Sequence, residues 1–139
     1  MVQLHGSETP FFASKIAVPV IKVIHMPTRS NTQIQPDLSE VIKSIDLFSG
    51  KASLILFDSK IPGSKGGGTG LTFDWEVVNK LNNIPVLLAG GLTVENVHEA
   101  IKENETVIGV DVSSGIELSG QPGVKDIPKM KLFIERSKL

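Results

Sequence analysis

The residues able to do chemistry in this chain stand where short apolar runs end. His5-Gly6, His25, Asp58-Ser59, Gly90-Gly91 and Asp111-Val112-Ser113-Ser114-Gly115 each close such a run. Gly90-Gly91 follows the apolar stretch Pro85 to Ala89 and precedes a segment that Thr93 can cap as a helix. Glycines there let backbone N–H groups approach an anion closely, and a helix N-terminus adds a favourable dipole. Ser113-Ser114-Gly115 repeats the arrangement one unit later, with hydroxyl donors added. Either turn alone is also what any tight strand-to-helix connection needs. Two of them in succession match a phosphate site built from consecutive loops.

Asp58 ends the run Leu54-Ile55-Leu56-Phe57, and the loop beyond it contains Lys65-Gly66-Gly67-Gly68-Thr69-Gly70. Such a loop can fold over a substrate, and a carboxyl half-shielded in this way has a raised pKa suited to a general acid. The plainer role for Asp58 is a solvated strand-end residue or a cap. His5 reads equally as a packed core histidine or as a substrate contact, while His25 and His98 read as structural or surface residues. The three histidines form no HExxH pattern and cysteine is absent. No metal site is therefore expected, and a disulfide framework or a thiol nucleophile is excluded. The glycine-rich loop is not a P-loop, because Lys65 precedes the glycines instead of following them, and no GxGxxG fits there.

The elements that must position these groups alternate regularly. Strands are expected at 1–6, 19–26, 52–59, 85–91 and 107–115. Between them fall a short helix at 9–16, a polar loop from Thr28 to Pro36, and a helix carrying Leu38, Val41, Ile42, Ile45 and Phe48 on one face. Asp37 and Glu40 have the spacing of a capping box for that helix, and Gly50 can stop it. Further helices are expected with Phe73, Val77, Val78 and Leu81 on one face, with Val94, Val97 and Ile101 on another, and from about Asp126 to Ser137. Five β-then-α units without a hairpin imply parallel strands covered by helices. Both an open doubly wound sheet and part of a (β/α)8 barrel satisfy this, and periodicity does not separate them.

With 139 residues, a formal net charge of −1 and 40% hydrophobic residues, a single domain over 1–139 is expected. Lys and Arg are scattered without a basic stripe, which argues against nucleic acid as a partner. No apolar run is long enough to span a bilayer, and the opening residues do not form a charged-then-apolar leader, so a cytoplasmic protein without membrane association is expected.

Taken together, Val2-Gln3-Leu4-His5-Gly6, Leu56-Phe57-Asp58-Ser59, Gly67-Gly68-Thr69-Gly70 with Phe73-Asp74-Trp75, Leu88-Ala89-Gly90-Gly91-Leu92 with Glu95-Asn96-Val97, and Gly109 through Glu117 with Gly123-Val124-Lys125-Asp126 resemble the successive motifs of the phosphoribosylanthranilate isomerase family. The resemblance runs over nearly the whole chain. It implies an α/β fold in the form of a partial (β/α)8 TIM barrel, with strands 4 to 8 present and the first three missing. It implies a cofactor-free Amadori rearrangement of N-(5-phosphoribosyl)anthranilate in tryptophan biosynthesis. Asp58 then matches the general acid that protonates the furanose oxygen, His5 and Asp111 match substrate-binding positions, and Gly90, Gly91, Ser114 and Gly115 match the phosphate grip. The family's general base is a cysteine on strand 1, in a Lys-Ile-Cys-Gly-like motif that this chain lacks. The expectation is a chain inactive on its own, whose partners are a small phosphosugar and either a missing N-terminal half or a second copy. The contrasting expectation is a non-catalytic, vestigial half-barrel that only binds phosphate ligands.

Overall fold

Short runs rich in Val, Ile and Leu form the centre of the molecule. The computed structural model describes residues 1–27, 38–60, 72–81, 85–102 and 104–138. Among these, β1 (Val2–Leu4), β2 (Val20–Pro27), β3 (Leu54–Lys60), β4 (Val86–Leu88) and β5 (Val107–Val110) form one sheet in the order β1-β2-β3-β4-β5, with every neighbouring pair parallel. The connections contain α1 (Pro10–Ser14), α2 (Ser39–Phe48), α3 (Val97–Lys102) and α4 (Ile127–Arg136), and 3₁₀ turns at Trp75–Lys80 and Ser114–Ile116.

The strand order is not that of a doubly wound sheet. A doubly wound sheet reverses its order at a switch point, whereas here the spatial order follows the chain order throughout. Right-handed crossovers between such strands set their helices on one face. The core agrees: Val20, Ile24, Phe57 and Leu88 cluster with Val41, Ile45 and Phe48 of α2, Val97 of α3 and Phe133 of α4. On the other face Val23, Leu56 and Ala89 make a smaller cluster. By the two-residue period of a strand, His25 and Asp58 share the face of Val23 and Leu56.

Local chemistry sets the ends of the helices. Thr9 Oγ1 accepts the Phe12 N–H at 3.2 Å, with Pro10 at the first helical position of α1. Asp126 accepts the Lys129 N–H at 3.1 Å and opens α4, which closes at Ser137 as expected. Gly50, at φ 69°, follows the end of α2. Asp37, the expected cap of α2, and the loop Thr28 to Pro36 lie outside the described residues, as does the glycine-rich loop at 65–70. Leu38 occupies the N-cap position without a side-chain bond.

Several expectations need correction: β1 and β4 are shorter than expected, ending at Leu4 and Leu88, and α3 begins at Val97, so that Val94 lies before it. The helix expected around Phe73 to Leu81 is a 3₁₀ turn at Trp75–Lys80, capped by Asp74 through the Glu76 N–H. Trp75, Val78 and Leu81 are all buried, and the three-residue period of a 3₁₀ turn brings them to one side. The strand expected over 107–115 ends at Val110. Asp111 N still donates to Leu88 O at 2.7 Å, but Ser114–Ile116 then winds into a 3₁₀ turn. None of the described helices is long and apolar enough to cross a membrane.

Candidate functional site

β3 carries Asp58 to the end of the sheet, where it pairs in register with His25 of β2. His5, one residue past β1, brings its Nε2 to 3.6 Å from Asp58 Oδ2; the His5 side chain is 57% exposed and that of Asp58 19%. Burial pushes the Asp58 carboxyl above the ordinary carboxylate range. The neighbouring His5 and His25 pull it down and Asp111 pushes it up, without reversing the effect of desolvation. An acid that holds its proton longer than a solvated carboxylate can donate it nearer neutrality.

The glycine turns close around this acid. Gly90 has φ 79°, and a Cβ added there would lie 2.7 Å from Asp58 Oδ1 and collide with Ser59. Only glycine lets the end of β4 approach the end of β3 this closely. A Cβ on Gly115 would collide with the Leu92 carbonyl oxygen and sit 3.1 Å from Thr93 Cα, so the turn after β5 rests against the turn after β4. His5, Asp58, Gly90, Gly91, Asp111 and Ser114 line one cleft of about 230 Å³. The structure thus brings the expected site residues together at one pole of the sheet, with Gly115 packed behind the Gly91–Thr93 turn.

Several bracing residues escaped the sequence reading. Asn96 Oδ1 accepts the Thr93 N–H at 2.8 Å and its Nδ2 donates to Gly91 O at 3.0 Å, fixing the first turn. Lys125 Nζ donates to Ser113 O at 2.9 Å, Ser113 Oγ at 3.2 Å and Glu117 Oε1 at 2.8 Å, fixing the second. Lys22, its side chain 7% exposed, donates from Nζ to Gly6 O at 2.6 Å and to Glu8 Oε2 at 2.9 Å. Glu8 in turn accepts the Gly6 N–H at 3.0 Å, and the Lys22 bond holds its carboxyl below the ordinary value. This clamp sets the turn that follows His5. Its one visible signal was a charge inside the β-branched run of β2. His25, expected to be structural or superficial, stands instead beside the site, with its ring 5.2 Å from that of His5. His98 is exposed on α3.

A parallel α/β sheet whose strand ends bring an acid, a histidine and two packed glycine turns to one cleft has the strand-end arrangement in which parallel α/β folds place their ligand sites. The sequence profile of the family described as N-(5'phosphoribosyl)anthranilate (PRA) isomerase matches residues 1–136, and the chain belongs to that family. The N-(5'-phosphoribosyl)anthranilate isomerase of Stenotrophomonas maltophilia (strain R551-3) is 41% identical over 135 residues, covering 97% of this chain and 56% of that protein. The protein of the same name from Legionella pneumophila (strain Lens) is 43% identical over 136 residues, covering 97% of this chain and 58% of its own length. The structure of N-(5'-phosphoribosyl)anthranilate isomerase from Pyrococcus furiosus superposes with a TM-score of 0.72 at 30% identity, over 98% of this chain and 60% of that one. The chain therefore spans little more than half the length of these relatives.

Proposed function

We propose that this chain supplies the acid and phosphate-binding portion of a phosphoribosylanthranilate isomerase, corresponding to strands 4 to 8 of a (β/α)8 barrel. In this reading the 5-phosphate of N-(5-phosphoribosyl)anthranilate sits against the Gly90-Gly91 and Ser114-Gly115 turns. His5 and Asp111 hold the sugar, and Asp58 protonates the furanose oxygen so that the ring opens. The Amadori shift then moves a hydrogen from C2 of the sugar, which needs a general base. The family's base is a thiol, and this chain has no cysteine. The base and strands 1 to 3 would have to come from polypeptide beyond these residues, and these 139 residues alone should turn over substrate barely or not at all. As a biosynthetic activity on a small phosphosugar it would belong in the cytoplasm, with no cofactor.

The observation that carries the proposal is the shared cleft: a carboxyl with its pKa raised by burial, directly beside two glycine turns that only small residues can build. The test is complementation. Mixed with a separately expressed N-terminal half of a relative, the chain should gain isomerase activity, and Asp58→Asn should lower it by about 10²- to 10⁴-fold. Robust turnover by the chain alone would overturn the dependence on a missing base. Undiminished turnover by the complemented Asp58→Asn protein would overturn the acid assignment. Phosphosugar binding without any activity after complementation would favour a ligand-binding half-barrel instead.

A further inference from the structure

We propose that His5, His25 and Asp58 form a binding site for one divalent transition-metal ion of the zinc type. The three residues lie far apart in sequence, which is why no motif marks them. The sheet collects them from the ends of three adjacent strands, and their nearest ligand atoms all fall within 4.8 Å of one another. His25 and Asp58 occupy paired register positions on β2 and β3, so two of the ligands stand on rigid backbone. The His5 and His25 rings meet edge to face at 67°.

One of the ligand distances is already close to that of a tetrahedral site. Bonds of about 2.0–2.1 Å place neighbouring ligand atoms about 3.3–3.4 Å apart, and His5 Nε2 already lies 3.6 Å from Asp58 Oδ2. Of that pair His5 is the exposed member, its side chain 57% exposed and so the freer to turn. Two imidazoles and one carboxylate favour zinc and its neighbours over magnesium or calcium, which take oxygen ligands. Three protein ligands leave a fourth position for water or for a ligand group, and two of the three, His5 and Asp58, line the cleft together with Gly90 and Ser114. One consequence rests on the proposed isomerase reading: with its carboxylate engaged by the ion, Asp58 cannot deliver a proton. Bound metal would then inhibit the enzyme reversibly.

Binding is tested without reference to activity, so failure of the isomerase reading would leave the result standing. The full 139-residue chain, freed of metal, is titrated with Zn²⁺ by calorimetry and with Co²⁺ by visible absorption, while its amide NMR spectrum reports folding. The expected result is one saturable equivalent, with an intense four-coordinate Co²⁺ spectrum and shifted ring signals of His5 and His25. Loss of an outer-shell partner typically weakens metal sites about 10- to 100-fold, so His5→Gln and His25→Gln should each weaken binding by more than about tenfold. His98→Gln should leave it unchanged. His5 lies past the end of its strand and is exposed, so its variant retains the fold and decides the matter even if His25→Gln does not fold. Absence of saturable binding, or wild-type affinity in His5→Gln, would overturn the proposal.

Discussion

Asp58 is held in a setting that opposes its ionisation, and this has a measurable cost. A carboxyl whose folded pKa lies above its unfolded value of about 3.8 lowers stability once the pH exceeds that folded pKa. The penalty disappears below the unfolded value, where both states are protonated. In metal-free buffer Asp58→Asn should therefore resist urea better than the parent at pH 7, with the gain shrinking towards pH 3. An equal difference at both pH values would refute the assignment. Gly90 makes the complementary point. Its positive φ and the 2.7 Å approach to Asp58 Oδ1 mean that Gly90→Ala should cost about 1–3 kcal/mol and disturb the Asp58 and Ser59 amide signals. Gly120 also has a positive φ but nothing within 4 Å of an added Cβ, so Gly120→Ala should leave the site signals unmoved.

Among the elements, β2 contributes most beyond its own core positions. Its Lys22 is buried against Phe48 of α2, with Nζ 5.4 Å from the ring centroid, and reaches the turn after β1. The two partners of the clamp differ in exposure, and so should their variants. Removing Glu8 leaves an ammonium group buried with only backbone carbonyls, whereas removing Lys22 leaves a carboxylate that water can reach. Glu8→Ala should therefore destabilise the chain by more than Lys22→Met, with the former costing about 1–3 kcal/mol in urea unfolding. The reverse order would show that burial of Lys22 is not the governing feature. Acid sensitivity also belongs to this scale. Hydrogen bonds from Lys22, Thr93 and Lys125 head the causes that hold Glu8, Glu95 and Glu117 below 4.5. Carboxylates with depressed folded pKa values stabilise above the unfolded value and lose that contribution as the pH falls through the folded one. Thermal scans should accordingly show stability declining below about pH 4.5, with a smaller decline in Glu117→Gln.

For the whole molecule, the open question is what lies beside the sheet edges. Among the described residues β1 and β5 each pair on one side only, and Ile108 of β5 is 58% exposed. An unprotected apolar edge invites pairing with other chains. The chain by itself should show concentration-dependent self-association in sedimentation, and Ile108→Lys should reduce it with little change in stability. A complementary half binding at a hundredfold excess over its Kd should raise unfolding stability by about 2.7 kcal/mol. A strictly monomeric chain that gains nothing from the complement would show that its edges need no cover.

Much of this was legible from residue order. The alternation of β and α units, the extent of the last helix, the stop at Gly50 and the strand-end placement of His5, Asp58, Gly90 and Asp111 follow from periodicity and local backbone preference. Interactions of that kind act within a few residues, so the sequence alone determines them. Strand order did not follow from periodicity, because an open sheet and a barrel segment repeat with the same period. The 3₁₀ winding of Trp75–Lys80, the burial of Lys22, the packing of Gly115 on Leu92 and the meeting of His25 with Asp58 also waited for the structure. Each depends on which residues from distant parts of the chain share a space, and only tertiary packing sets those distances.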